Sequence, residues 1–339
     1  MLERSSERLG APTRAAEARP FALAHLSDLH ATPVAIRHPL ELANKRILGW
    51  LSWWRKRRKE HRPHVLEALI DDLRAAGADH VGVTGDLTHL GLDSEIAAAT
   101  AWLERLGPPS RVSVVPGNHD AYAGAAVLER WSAWAPYMTS SAGTAVTSSA
   151  GAARSAGASG EGSGDPGSFP FVRRLGPIAL VGISSAQPTA PLLATGRLGM
   201  EQRERLEALL AGLGEAGLCR VVLMHHPPVA AGQSRRRQLE DAPELRALLE
   251  RVGAELVLHG HTHRSHFATL PGPRDRIPVI GVPSSSAIGR RPGRRASYHI
   301  YRIVPRGGAS GSSGFALSFC ARTFDPLLGC FVAAEERSL

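Results

Sequence analysis

The chain has 339 residues, 43% hydrophobic and 21% charged, with 24 prolines and 35 glycines. That composition excludes a disordered or collagen-like chain, and no apolar run nears the ~20 residues of a membrane-spanning helix. The net charge of +9 is unevenly placed: residues 45–64 carry Lys45, Arg46, Arg55, Lys56, Arg57, Arg58, Lys59 and Arg62 against Glu60 alone.

The first twenty residues are polar and charged, without an apolar stretch of signal-peptide length. Cys219, Cys320 and Cys330 are odd in number and lack close metal-type spacing. Export and a disulfide framework are therefore disfavoured, and a reducing cytoplasm is expected.

Residues 1–19 show no sustained apolar period and read as a flexible tail. Phe21 to Leu26 is a short apolar strand ending at Ser27-Asp28. Between Pro63 and Ala76, Val65, Leu66, Leu69, Ile70 and Leu73 recur at helical spacing, and Gly77 stops the run. Residues 80–84 form a buried strand. Asp93 or Ser94 caps a helix running to Leu106, which Gly107 ends. Residues 112–115 are a strand, and 124–134 a further helix. Residues 139–168 are almost wholly Ser, Gly, Ala and Thr, the composition of a flexible loop. Strands at 169–173 and 178–183 follow. Helix 200–212 precedes strand 220–224, and helix 241–252 precedes strand 255–259. Strand-like runs at 277–282, 297–304 and 315–323 come last, with a flexible turn at 307–314. Residues 326–339 read as a C-terminal tail.

Alternating helices and strands predict a layered α/β fold, and the late strands predict a second sheet packed on the first. A single domain over 20–325 is expected, with a basic, tryptophan-rich insertion at about 36–62.

Five clusters stand where predicted strands end: Ser27-Asp28-Leu29-His30, Gly85-Asp86, Gly117-Asn118-His119-Asp120, His225-His226-Pro227-Pro228 and Gly260-His261-Thr262-His263. In open α/β sheets the carboxyl ends of strands bind ligands. Asp28 and His30 are two apart, as are His261 and His263. Residues i and i+2 of extended chain point the same way, so each pair can serve one site. Carboxylate, imidazole and amide oxygen suit borderline divalent metals, and two metals about 3.5–4 Å apart can activate water and clamp a phosphate. Two such ions bring four positive charges. Asp28 and Asp86 return two and a bridging hydroxide one, leaving a positive centre for an anionic phosphate. Each glycine before a ligand is expected to permit a sharp turn. His25, His80 and His259 fall within strands and read as core, His226 as packing, and Asp120 as a loop-orienting residue.

In this order the clusters resemble the D-x-H, G-D, G-N-H-D/E, H and G-H-x-H motifs of the calcineurin-like metallophosphoesterase superfamily. Each motif alone is weak, but five in register are specific. The resemblance covers residues 21–304. It implies a four-layer αββα sandwich of two mixed sheets flanked by helices, with two divalent metals (Mn, Fe or Zn). By motif position Asp28, His30 and His263 hold the first metal, Asn118, His225 and His261 the second, and Asp86 bridges them. The resemblance also implies that His119 contacts phosphate and protonates the leaving group while a metal-bridging hydroxide attacks phosphorus. Where protein phosphatases of the superfamily have G-D-x-x-D-R-G, this chain has Gly85-Asp86-Leu87-Thr88-His89-Leu90-Gly91. A protein phosphatase is disfavoured, and the G-D-L-T form looks like the bacterial branch with cyclic-nucleotide phosphodiesterases. His89 next to His119 sets two imidazoles against a double positive charge.

In the basic insertion, positions 43, 47, 50, 51 and 54 share one helical face as Ala, Ile, Trp, Leu and Trp. With Trp50, Trp53, Trp54, Arg55, Arg57 and Arg58, this segment fits an anionic membrane surface, as a peripheral contact on the inner membrane, or a cap over a lipid-bearing substrate. It also fits plain packing against the body. In physical character it is similar to the hydrophobic insertions of bacterial UDP-2,3-diacylglucosamine pyrophosphohydrolases. Nucleic acid is the weaker partner, since the basic residues are local and no binding module is evident. The expected activity is hydrolysis of a phosphodiester or pyrophosphate, nucleotide-containing and lipid-linked in its narrowest form. The alternatives are a 3′,5′-cyclic nucleotide phosphodiesterase and a non-catalytic membrane or partner adaptor.

Overall fold

A computed structural model describes residues 19–30, 34–42, 45–55, 57–122, 131–141, 169–290, 293–306 and 314–339. The strands are β1 (Phe21–Leu26), β2 (His80–Val83), β3 (Val112–Val114), β4 (Phe171–Leu175), β5 (Ile178–Gly182), β6 (Cys219–Leu223), β7 (Leu256–His259), β8 (His266–Leu270), β9 (Ile277–Gly281), β10 (Ser297–Arg306), β11 (Gly314–Asp325) and β12 (Cys330–Ser338). The helices are α1 (Arg46–Arg55), α2 (Pro63–Ala76), α3 (Asp93–Leu106), α4 (Met200–Glu215) and α5 (Ala242–Val252). One six-stranded sheet has the order β12-β11-β10-β1-β2-β3, the other β4-β5-β6-β7-β9-β8. Both are mixed: β1 runs parallel to β2 and antiparallel to β10, and β5 runs parallel to β6 and antiparallel to β4.

Period-two burial sorts the apolar side chains into layers. In the second sheet Leu180, Val221, Leu223 and Leu256 join Leu23, Val83 and Val112 of the first sheet in one cluster. Their neighbours Val181, Val222 and Val257 face the other way, against Leu206 and Leu210 of α4 and Leu245 and Leu249 of α5. Val65, Leu66, Leu69 and Leu73 of α2, with Leu103 of α3, pack on the first sheet. The result is the expected α/β arrangement of two sheets flanked by helices. No helix among the described residues is long and apolar enough to cross a membrane.

Four local readings change. Residues 330–338 are not a tail but β12, paired antiparallel with β11. Phe331 is buried there against Tyr298 and Phe324, while the charged Glu335, Glu336 and Arg337 stay exposed along the strand. Such charges are usual on an edge strand and hide its period. β8, another edge strand, carries no clear alternation either. The expected helix over 124–134 falls partly outside the described residues. Its described end, Trp131–Met138, is a 3₁₀ helix that buries Trp131, Trp134 and Tyr137, one every third residue as that geometry requires. Asp93 is the first residue of α3 and not its cap. Glu95 folds back so that its carboxylate accepts from the Leu92, Leu90 and His89 amides at 3.1, 2.9 and 2.8 Å. Of the expected flexible segments 1–19, 139–168 and 307–314, residues 1–18, 142–168 and 307–313 lie outside the described residues.

Histidines lie in the core as expected. His25 Nε2 meets Thr84 Oγ1 at 2.9 Å and His80 Nε2 meets Ser113 Oγ at 2.8 Å. Burial pushes the His80 imidazole down to about 4 and that of His299 to about 3. The unfolded chain binds protons on both from about pH 6.5 downward, whereas the folded chain does not until pH 4 and 3. Stability contributed by these neutral histidines is therefore complete above pH 6.5 and is lost as pH falls towards 3. The urea midpoint of metal-free protein should drop between pH 7.5 and 5, and His80→Asn with His299→Phe should make that dependence shallower. An unchanged slope would show that neither histidine is held neutral by the fold.

Candidate dinuclear metal centre

β1, β2 and β3 end at Asp28-Leu29-His30, Gly85-Asp86 and Gly117-Asn118-His119. β6 and β7, in the other sheet, end at His225 and at Gly260-His261-Thr262-His263. The centre therefore straddles the seam between the sheets. Backbone bonds tie the ends together: Asp28 N to Gly85 O at 2.9 Å, His30 N to Asp86 O at 3.0 Å, and Gly260 N to His225 O at 3.1 Å. Asp28, His30, Asp86, His261 and His263 all have positive φ, between 43° and 65°. Left-handed backbone costs a non-glycine residue of order 1 kcal/mol or more and concentrates at functional sites. Two glycines act through close approach: a Cβ on Gly117 would stand 2.2 Å from Asp86 Oδ1, and one on Gly260 1.8 Å from Ser27 Oγ. Each would displace the oxygens around an aspartate.

The carboxylate and imidazole atoms of Asp28, His30, Asp86 and His263 lie within 4.8 Å of one another. Asp28 Oδ2 accepts from Ser27 Oγ at 2.7 Å and from the His261 amide at 3.0 Å. His30 Nδ1 donates to Thr88 O at 2.9 Å, so its Nε2 carries a lone pair. Asp28 Oδ1 and His30 Nε2 are buried without a hydrogen-bond partner. In the second group His225 Nδ1 donates to Thr84 O at 2.6 Å, leaving Nε2 3.2 Å from Asn118 Oδ1 and 3.4 Å from Asp86 Oδ2. Burial lowers the affinity of His225 for a proton, but the Asp86 charge prevails and lifts it to about 9. Acceptors that hold a proton so tightly are ones that a divalent cation can replace it on. His261 Nε2 donates to Arg237 O at 2.9 Å, leaving Nδ1 as an acceptor. His226 has neither nitrogen spare: Nε2 donates to Ala194 O at 3.2 Å and Nδ1 meets Ser185 Oγ at 2.8 Å.

His119 sits over Asp86, to whose Oδ1 its amide donates at 2.8 Å. Its Nδ1 donates to the backbone carbonyl of His89 at 2.6 Å, and its Nε2 accepts from Arg57 Nη1 at 2.7 Å. Burial, His61, Arg57 and His119 together hold the His89 imidazole well below the usual range. The His89 ring, without a hydrogen bond, stacks on His30 at 4.5 Å between centroids. Burial and the Arg57 charge push His119 down to about 3. Asp120 accepts from Gly117 N at 2.9 Å and Thr88 N at 3.0 Å, tying two loops, and burial with the Asp86 charge raises it to about 7.

The insertion divides its residues differently from the single face read in the sequence. Trp50 and Trp53 pack inward with Val34, Leu90, Leu92 and Tyr122. A Cβ on Gly49 would already meet the Tyr122 hydroxyl at 2.5 Å, so α1 lies close on the body. Ile47, Leu48 and Trp54 face outward, 46–49% exposed, and Arg58 covers the Trp54 ring at 4.7 Å. Arg55 and Arg57 line the cleft over the centre, and Arg58 does not. His61, which nothing in the sequence singled out, also reaches the centre. It lies 4.5 Å from His30 between ring centroids, its Nδ1 paired with Ser286 Oγ at 2.8 Å. Its nitrogen falls within the 4.8 Å group formed with His30 and His263. No spacing rule reports such a residue, because it arrives from an insertion.

Buried oxygen and nitrogen acceptors without partners are costly unless something binds them. Asp28 Oδ1 and His30 Nε2 fit a cation, and the mixture of carboxylate, imidazole and amide suits a divalent transition metal. The family model for calcineurin-like phosphoesterases matches residues 21–265. A probable cyclic nucleotide phosphodiesterase of Synechococcus sp. is 24% identical over 243 residues, 71% of this chain and 78% of its own. A dimetal phosphatase from Danio rerio has 11% identity and a TM-score of 0.56, covering 94% of this chain and 98% of its own. A purple acid phosphatase from yellow lupin has 13% identity and a TM-score of 0.54, covering 95% of this chain and 54% of its own. These two structural likenesses lie in the fold. Fold and family together define the class, a metal-dependent phosphoester hydrolase. The chain belongs to the calcineurin-like phosphoesterase family.

Asp28→Asn should reduce bound manganese or zinc to about half of wild type or less, read by elemental analysis after gel filtration. Wild-type metal content in that variant would exclude Asp28 as a ligand.

Proposed function

We propose that the protein hydrolyses a nucleotide-containing phosphodiester or pyrophosphate. Asp28, His30 and His263 would hold one divalent ion, Asn118, His225 and His261 a second, with Asp86 between the two groups. The observation that carries this reading is the cluster of Asp28, His30, Asp86 and His263, in which buried His30 Nε2 has no partner and buried Asp28 Oδ1 has no hydrogen bond and faces His263 Nε2 at 3.1 Å. Ions bound there would activate water and neutralise the phosphoryl oxygens.

The chain's own residues do the rest. The His89 carbonyl fixes the proton of His119 on Nδ1, and Arg57 covers the lone pair on Nε2. Positive charge at this position comes from Arg57 and not from a second proton on His119. A guanidinium set over the scissile group stabilises charge as it develops on phosphoryl or leaving oxygens. Arg46 sets the insertion in place, donating to Leu90 O at 3.2 Å and Gly91 O at 2.9 Å. A second reading, a 3′,5′-cyclic nucleotide phosphodiesterase, is favoured by the Synechococcus relative. A non-catalytic adaptor is disfavoured because donors stand at every ligand position.

The outer side of α1 supports peripheral docking on an anionic membrane. Ile47, Leu48 and Trp54 are exposed beside Arg55, Arg58 and Lys59, the pairing of apolar and cationic groups that suits an acidic lipid surface. The three cysteines are free, which fits a reducing, cytoplasmic setting.

With added Mn²⁺, purified protein should hydrolyse bis(p-nitrophenyl) phosphate, and it should be offered cyclic AMP and detergent-solubilised UDP-2,3-diacylglucosamine alongside. Asn118→Ala should lower kcat about a hundredfold or more, and Arg57→Gln about tenfold or more. No hydrolysis of any of the three with Mn²⁺, Fe²⁺ or Zn²⁺ would overturn the hydrolase reading. For docking, wild type should sediment with vesicles containing phosphatidylglycerol and release at high salt. The combined Ile47→Ser, Leu48→Ser and Trp54→Ser variant should remain in the supernatant, and unchanged sedimentation would rule out this face.

A further inference from the structure

Several arginines of the fold meet carboxylates. Arg203 pairs with Asp241 at 2.5 Å, Arg220 with Glu255 at 2.7 Å, Arg251 with Glu207 at 2.9 Å and Arg322 with Asp72 at 2.5 Å. The cleft over the metal centre gathers several arginines around one cavity. It encloses about 420 Å³, and its wall includes Arg55, Arg57, Arg237, Arg290 and Arg294. Glu60 is the acidic residue at that wall besides Asp86, and its carboxylate accepts from the amides of Gly289 at 3.0 Å and Arg290 at 3.3 Å. That carboxylate holds the loop after β9 in place. Arg55, Arg237 and Arg290 are exposed and have no carboxylate partner among the described residues. They come from three separate segments: the end of α1, the 3₁₀ turn Arg235–Arg237 and the loop after β9.

Guanidinium groups gathered around one cavity repel each other, and a cleft of one sign focuses its field on an incoming counter-charge. A single phosphodiester carries one negative charge. Arg57 and two divalent ions already exceed it, so the outer arginines are in surplus for a cyclic monophosphate. They match a ligand with more phosphate oxygens, which arginine forks bind in pairs.

We propose that the substrate is a small organic phosphate carrying at least one further phosphate beside the one attacked, and that Arg55, Arg237 and Arg290 hold it. This rests on the hydrolase reading above. The link cleaved is then a P–O–P bridge. The oxygen of water bonds to phosphorus, the bridging P–O bond breaks, and the departing phosphate takes the electron pair. The two protons of water pass to product oxygens or solvent, leaving two phosphate monoesters.

The experiment compares kcat/KM of the Mn²⁺ enzyme for ADP-ribose, cyclic AMP and bis(p-nitrophenyl) phosphate. ADP-ribose should exceed cyclic AMP by about tenfold or more. The Arg237→Gln, Arg290→Gln double variant should raise KM for ADP-ribose about tenfold, while bis(p-nitrophenyl) phosphate loses less than about threefold in kcat/KM. Arg302→Gln, an exposed arginine of β10 away from the cleft, should change neither. Cyclic AMP as the better substrate, or an equal loss for both probes in the double variant, overturns the proposal and leaves the hydrolase reading standing. Hydrolysis of none of the three overturns that reading itself.

Discussion

Two carboxylates, Asp28 and Asp86, are buried at the seam between two sheets, and most other features of the molecule follow from the need to accommodate them. A buried charge is tolerated only where it is paired or hydrogen-bonded. Asp28 Oδ2 uses Ser27 Oγ and the His261 amide, and Asp86 Oδ1 uses the His119 amide. The oxygens that remain face imidazoles: Asp28 Oδ1 lies 3.1 Å from His263 Nε2, and Asp86 Oδ2 3.4 Å from His225 Nε2. Bringing amides and imidazoles to so small a volume forces the chain into left-handed turns at strand ends. It also excludes a side chain at Gly117 and Gly260.

That constraint explains what was legible in the sequence. The strands feeding the centre are short and buried, so they read as apolar runs, and the turns after them carry polar residues in fixed spacing. β1, β2, β3, β6 and β7 were visible for this reason, as were the clusters behind them. β8 and β12 were not, because edge strands need no continuous apolar face and β12 is covered with charge. The 3₁₀ helix at Trp131–Met138 was taken for the end of an α-helix, since three aromatic residues three apart fit either period over so short a span.

The centre itself was legible only where a motif marks it. His61 and the inward turn of Arg57 depend on how an insertion folds back over the strand ends, which no local spacing encodes. The glycines were visible, but for the wrong reason at two positions. Gly117 and Gly260 make room for oxygens and do not supply unusual backbone angles. Trp50 and Trp54 were read on one face, whereas Trp50, with Trp53, packs on the body and Trp54 faces outward.

Arg46 and the inward tryptophans fasten α1 to the loop carrying Leu90 and Leu92, and Glu60 and His61 fasten the end of the insertion to the loop after β9. A short excursion of chain, tied to both loops, brings Arg55, Arg57 and His61 to the cleft over the centre. Diversification of such a scaffold needs no redesign of the catalytic core. It needs only a new segment that keeps both ties and reaches over the same edge.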